Sequence, residues 1–294
     1  QSTFLTRNSH AGLMCLLAIP ASSYFLMAHG IGRRAVWTTR ILGPVLFALY
    51  FSLALTGSRG ASLGLLMGLV LIVALAYRRI PRSRLIIFLA IVLMAFMVAN
   101  FLLKGEVVAR LGTLAKLGTW ANLGNVDAGR FLIWERAWQM LMDAPWWGVG
   151  LGTYWLHWPP YRNPLDGSAG FYVHNDYLQI WIETGLPGLL LLLAVYVAVL
   201  ITFIRLLRYR KIDPVVTLES AGLFGGLLAV AAHTFFDFDL YIHPIQLLIG
   251  LVLIRLHALY LAHVPAGVFV IQPAQRVGRR AYRVISFLVL LLPL

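Results

Sequence analysis

Apolar and polar residues follow one another along this chain in long blocks. Seven apolar runs stand out, at 11–29, 41–56, 61–77, 85–103, 186–207, 218–236 and 245–262. An eighth begins near Tyr282 and continues to Leu294. A helix needs about 20 apolar residues to cross the hydrocarbon of a bilayer. Its backbone polar groups must be satisfied within the helix itself. Each run is therefore expected to be a membrane-spanning helix. The second and third are short, and for them the expectation is a re-entrant segment or a span lengthened by its flanks.

The connecting segments sort by charge. The first carries Arg33, Arg34 and Arg40, and the third carries Arg78, Arg79, Arg82 and Arg84. The fifth carries Arg205, Arg208, Arg210 and Lys211, and the seventh Arg276, Arg279, Arg280 and Arg283. The second holds only Arg59, and the sixth holds Asp237 and Asp239 with no lysine or arginine. Basic loops stay cytoplasmic. The odd-numbered connections are thus expected inside and the even-numbered ones outside.

Composition sharpens this picture. Of 294 residues, 60% are hydrophobic and 12% charged, and the mean hydropathy is +0.81. A soluble domain has about 25% charged residues, so this chain reads as an all-α, polytopic integral membrane bundle. The net charge of +13 sits in the short clusters between runs, which is the topology pattern and not a nucleic-acid footprint. The single cysteine, Cys15, lies in an apolar run and permits no internal disulfide. The chain begins at Gln1 and stops inside an apolar run. The expectation is one membrane domain over 1–294, a fragment of a longer protein.

The fourth connection, 104–173, is too long for a plain link between helices, and is expected as a large outer loop. Within it "GRFLIWERAWQMLMDAP" reads as an amphipathic helix, with Phe131, Trp134, Ala137, Trp138 and Leu141 at helical spacing and Pro145 closing it. The stretch "WWGVGLGTYW" follows as a turn-rich segment. It lacks the lysine of a nucleotide-binding loop.

Topology then selects candidates for chemistry, because Arg59, Arg130 and His174 all fall on the outer side. Arg59, in "LTGSRGASLG", is costly so near hydrocarbon. It reads either as an arginine snorkelling to headgroups or as a phosphate clamp, since the guanidinium fork matches phosphate oxygens. Gly57 and Gly60 would let a bulky headgroup approach. Arg130, at the start of the amphipathic helix, reads as a salt-bridge partner of Asp127, which would cap that helix, or as a second phosphate contact at a helix N-terminus. His174 precedes "DYLQ", whose Asp176 and Gln179 match capping-box spacing. A helix starting at Asp176 leaves His174 at the membrane rim, as a structural histidine or a proton acceptor.

Eight of the nine tryptophans, Trp120, Trp134, Trp138, Trp146, Trp147, Trp155, Trp158 and Trp181, lie in or beside the outer loop. They read as an interfacial aromatic belt and the core of the loop, or as platforms for sugar rings. His233, Asp237, Asp239 and His243 surround the last outer turn, with a spacing that matches no defined metal motif. Glu183 reads as a helix residue facing protein, and His10 borders the outer end of the first run.

At these residues a resemblance emerges. "TFLTRNSHAGLM", "TGSRGASLG", "GRFLIWERAWQMLMDAPWWGVGLGTY" and "HNDYLQIWIETGLPG", in this order and with a large loop between two spans, resemble the O-antigen ligase and O-antigen polymerase superfamily. The resemblance runs from the first span to the "DFDLYIHP" turn. It implies a multi-pass glycosyltransferase of the bacterial inner membrane, its active site facing the periplasm. The donor would be an undecaprenyl-diphosphate-linked glycan, and the acceptor a lipid A core or another glycan. It also implies further spans N-terminal to this chain.

By motif, the family's functional residues fall on Arg59 and Arg130 as diphosphate ligands and on His174 as catalytic base. Trp155, Trp158, Tyr172 and Asn175 are the candidate contacts to glycan or acceptor. No cofactor, metal or nucleotide sugar is expected at the site. The implied mechanism has the arginines stabilise the leaving diphosphate while His174 takes the proton of the attacking hydroxyl, with inversion. Two other readings remain open: a transporter or flippase, whose charges would line a path through the membrane centre, and a peptidoglycan glycan-strand polymerase, which would use an outer-loop carboxylate such as Asp127, Asp166 or Asp176.

Overall fold

Long apolar runs satisfy their own backbone only as helices, and each of the seven does so. The computed structural model describes residues 6–27, 33–76, 80–112, 128–209 and 213–264. Helices α1 (Arg7–Met27), α2 (Arg33–Thr56), α3 (Arg59–Ala76) and α4 (Arg82–Leu102) come first. A lobe follows, with α5 (Glu106–Gly112), α6 (Ala128–Asp143) and the single turn α7 (Tyr154–His157). Then come α8 (Asp176–Arg208), α9 (Pro214–His233), a 3₁₀ turn (Asp239–Tyr241) and α10 (His243–His263). There is no strand among the described residues. Among the described residues, six helices are long and apolar enough to cross a membrane. The second run is lengthened by its flank to 24 residues; the third remains short, at 18 residues, or roughly 27 Å. The protein is an all-α, multi-pass membrane protein. The eighth run, Trp120, Asp127, Arg78, Arg79, Arg210, Lys211 and the basic cluster at 276–283 lie outside the described residues.

Two helices form the centre. In α1 and α9, 67% of the apolar stretch is buried, against 17% in α4 and 11% in α8. The outer helices turn Leu89, Leu93, Met97, Leu190, Leu191 and Val197 outward, as lipid-facing helices do. The closest packing joins α3 to α9. Gly60, Gly64 and Gly68 recur every fourth residue, so they share one face of α3. A Cβ at Gly64 would lie 2.6 Å from the carbonyl oxygen of Ala229, and one at Gly68 2.9 Å from that of Gly225. At Gly60 it would lie 3.1 Å from Cδ2 of His233. Small residues let helix backbones approach where hydrocarbon gives no hydrophobic drive between helices. On its other side α9 packs Gly222 and Gly226 against Pro20, Ser23 and Leu16 of α1. These contacts run α9 antiparallel to both, so Arg59, His233 and the N-terminus of α1 share one end of the bundle, the lobe end.

The glycine-rich stretch docks the lobe. Helix α8 breaks at Gly185 (φ 69°, ψ −174°), separating a short segment at 176–184 from the membrane part at 186–208. The break frees backbone carbonyls. Val149 and Gly150 donate to those of Ile182 and Glu183 at 3.0 and 2.9 Å, and Leu186 donates to Pro145 at 3.1 Å. Gly148 and Gly185 lie backbone to backbone, with no room for a Cβ on either. The Glu183 carboxylate, 1% exposed, accepts from the amides of Gly152 and Tyr154, the amide of Gln179 and the hydroxyl of Tyr241. Its reading as a residue facing protein holds.

The amphipathic helix forms at the expected place, but its buried stripe is rotated. Ile133, Ala137, Met140 and Leu141 are buried, whereas Phe131 and Trp138 are 41% and 50% exposed. The aromatics at 131 and 138 sit on the edge of the face, one of them edge-on to Trp181. The stripe itself is aliphatic and packs on Tyr154, Trp158 and Val173.

Candidate functional site at the lobe end

His174 stands in the extended segment before α8, in a left-handed backbone conformation (φ 58°). Such a conformation costs a non-glycine residue roughly 1–2 kcal/mol, so its neighbours must hold it. Val173 donates to Oε1 of Gln179 (3.0 Å) and accepts from the indole of Trp134 (3.0 Å). Asp176 donates to the carbonyl of Thr234 (3.0 Å). The cap differs from the expected capping box. Asn175 caps α8, its side chain accepting from Leu178 at 3.1 Å. Asp176 is turned inward to accept from Leu240 (2.8 Å), and Gln179 reaches past the cap to Val173. The box lies one residue later than the real cap because Asp176 is drawn to the α9–α10 turn.

That turn brings the remaining groups together. His233 ends α9, with Nδ1 donating to Oδ2 of Asp239 (2.6 Å) and Nε2 facing the Ser58 hydroxyl (3.3 Å). Ser58 also caps α3, accepting from Ala61 at 3.4 Å. All three are almost fully buried. Burial raises the Asp239 carboxyl above the ordinary aspartate range, and the charge and hydrogen bond of His233 counter it. Gly12 of α1 makes room for this carboxylate, which would overlap any Cβ there. Asp237, 1% exposed, has no hydrogen-bond partner on either oxygen among the described residues. Its Oδ1 lies 3.5 Å from Nδ1 of His174. Phe238 lies against the His174 ring, edge to face, and stacks flat on Tyr172 at 4.0 Å.

The arginines converge on the same end. Arg59 is the first residue of α3, directly after Ser58. Arg130 lies in the first turn of α6, close enough for its charge to act on His233. Arg110, which sequence reasoning passed over, lies across Gly57, whose Cβ would meet Arg110 Cδ at 2.9 Å. His10 is tied to Ser52 at 2.7 Å.

His233, Asp237 and Asp239 offer ligand atoms within 4.8 Å of one another, although their spacing in the sequence matches no defined metal motif. Both ring nitrogens of His233 already face hydrogen-bonding partners, so the group reads as a hydrogen-bonded chain from Ser58 to Asp239. His243, exposed at the start of α10, stands apart.

The four candidate glycan contacts divide. Trp155 is half exposed beside Phe171, so it keeps a ring face for a sugar. Trp158 does not. It is 2% exposed and packs on Tyr154 at 5.2 Å, so it is lobe core. Tyr172 is committed to Phe238 and Asn175 to its cap. Among the loop carboxylates, Asp166 is bound to Arg162 (3.4 Å) and Ser168.

Comparison with known proteins gives this end of the bundle a context. Residues 44–193, just over half the chain, match the family model described as O-antigen ligase. That span contains Arg59, Arg130 and His174, while the His233–Asp239 turn lies beyond it. The chain is also similar to the exopolysaccharide production protein ExoQ of Rhizobium meliloti (strain 1021), with 27% identity over 224 residues, covering 71% of this chain and 48% of the relative. The chain thus spans about half the length of that curated relative. Six membrane-crossing helices among the described residues, a docked lobe and a family match over just over half the chain agree: this chain belongs to the O-antigen ligase family.

Proposed function

We propose that the chain carries a membrane glycosyltransferase that moves a glycan from an undecaprenyl-diphosphate carrier to an acceptor hydroxyl, in the bacterial inner membrane and facing the periplasm. The observation that carries this reading is the gathering of Arg59, Arg130 and His174 at one end of a bundle whose outer helices face lipid. Arg59 and Arg130 each sit at a helix N-terminus, where backbone amides and the helix dipole favour anions. Guanidinium groups bind phosphate oxygens through paired donors. Two such positions suit a diphosphate headgroup whose lipid tail stays between the outer helices. They supply the positive charge that a metal supplies elsewhere, so the reaction is metal-independent in this account.

In the transfer step His174 accepts the proton of the acceptor hydroxyl, whose oxygen attacks the anomeric carbon. The bond from that carbon to the diphosphate breaks, and its electron pair leaves with the carrier. The arginines stabilise the charge developing there, and direct attack inverts the anomeric centre. Trp155 at the lobe surface is a platform for the glycan. The acceptor is a lipid A core or a growing glycan; the similarity to an exopolysaccharide production protein supports the second.

Binding of undecaprenyl diphosphate to the purified full-length protein tests the clamp. A hydrogen bond to a charged group contributes about 1.5–3 kcal/mol, so Arg59→Ala or Arg130→Ala should each weaken binding roughly 10- to 150-fold. Undiminished affinity in both variants would contradict the clamp.

A further inference from the structure

Two groups at the lobe end face each other with hydrogen-bonding capacity left over. Nδ1 of His174 is buried and has no hydrogen-bond partner among the described residues, and the same holds for both oxygens of Asp237. The two lie 3.5 Å apart. A buried carboxylate without a donor costs several kcal/mol, and such a cost persists where the group has work in another state of the protein. The His174 ring, 26% exposed, has this edge turned inward, so its accessible part lies on the Nε2 side. Its backbone is held in a left-handed conformation, and Phe238, the residue after Asp237, packs edge-on against the ring at 5.1 Å.

We infer that Asp237 is the positioning residue of this site. It holds His174 with Nδ1–H toward its own carboxylate, so that the Nε2 lone pair meets the acceptor hydroxyl. The inference rests on the reading of His174 as the base. When the hydroxyl proton moves to Nε2 the imidazole becomes a cation, and Asp237 is the anion beside it. Hydrogen bonds of this kind are often long in the free protein and tighten in the reacting complex. The proton then passes from Nε2 to water, which restores the starting state. Other charges around the pair come from every side: His233 and Asp239 from the α9–α10 turn, Asp176 from α8 and Arg130 from α6. Asp176 already accepts from Leu240, and Asp239 from His233. Asp237 alone among these carboxylates has both oxygens uncommitted and an imidazole in front of it.

The test is a set of four variants of the full-length protein, Asp237→Asn, Asp237→Glu, His174→Ala and the double variant His174→Ala/Asp237→Asn, assayed for glycan transfer. Asp237→Asn should lower kcat about 100-fold or more, with little change in KM for the donor. Asp237→Glu, which keeps the carboxylate, should restore at least a tenth of the wild-type kcat, and it serves as the readout if the Asn variant does not purify folded. In the His174→Ala background, Asp237→Asn should cost nothing further, because a positioning residue has nothing left to position. A purely structural carboxylate would lower both backgrounds by the same factor, and that result would overturn the inference. So would wild-type activity lost in EDTA and restored by a divalent cation, which would make Asp237 a ligand. Full activity in Asp237→Asn with an inactive His174→Ala would sink the pairing and leave the base. Full activity in His174→Ala would sink the base, and the pairing with it.

Discussion

Replacing Gly64 with alanine puts a methyl group between two helix backbones. Its Cβ would lie 2.6 Å from the carbonyl oxygen of Ala229, whereas ordinary contact begins near 3.4 Å. The neighbour is backbone, so no side chain can swing aside. Helices α3 and α9 must part by about 0.8 Å at this level, the difference between those two distances. Overpacking of this kind costs about 1–3 kcal/mol. It opposes the intrinsic preference of a helix for alanine over glycine, about 1 kcal/mol. A shift of this size also stretches the 3.3 Å contact between Ser58 and His233 beyond hydrogen-bond range, and Arg59 moves with Ser58. For a chain of this length each kcal/mol shifts Tm by about 2–4 °C. Thermal unfolding in detergent or nanodiscs, followed with glycan transfer, should show Gly64→Ala lower in both. Gly250 on α10 is the control, since a Cβ there meets nothing within 4 Å, and Gly250→Ala should leave Tm and transfer unchanged or raise Tm slightly. Adding Ala229→Gly should not rescue Gly64→Ala, because the obstructing atom is the carbonyl oxygen. A Gly64→Ala protein more stable than wild type by about 1 kcal/mol, the helix preference with nothing set against it, would refute the close-packed α3–α9 seam.

Glu183→Ala removes a buried carboxylate with four donors; at about 1–3 kcal/mol for each donor left unsatisfied, it should cost at least roughly 3 kcal/mol and expose the lobe at 144–175 to limited proteolysis. At His174 the left-handed backbone predicts that His174→Gly is more stable than His174→Ala by roughly 1 kcal/mol, with transfer in both reduced to a low residual rate; equal Tm values would remove the strain.

The spans were legible because lipid selects continuous apolar runs, and each of the seven became a helix. That Arg59, Arg130 and His174 share one end of the bundle was legible because charge alternation assigned them to one side of the membrane. The small-residue seam was not legible: Gly60 reads from the sequence as room for a headgroup, whereas with Gly64 and Gly68 it lines a face packed on α9, a partner that spacing alone cannot name. The chain from Ser58 to Asp239 was hidden for a similar reason. Ser58 and His233 are 175 residues apart, and only the packing of α3 on α9 makes them neighbours. The cap at Asn175 was misplaced by one residue because the turn at 234–240 competes for Asp176. For Trp158 the sequence left loop core and sugar platform both open; the lobe needs a core of its own and takes this ring for it.

The most direct measurement is transfer of glycan from a purified undecaprenyl-diphosphate donor by the full-length protein in EDTA, with lipid A core and repeat-unit acceptors offered separately. Wild type should form a product with inverted anomeric configuration, and Arg59→Ala, Arg130→Ala and His174→Ala should each slow its formation about 100-fold or more while remaining folded. No covalent transfer to any acceptor by folded wild-type protein, or transfer that survives the loss of all three side chains, would contradict the account.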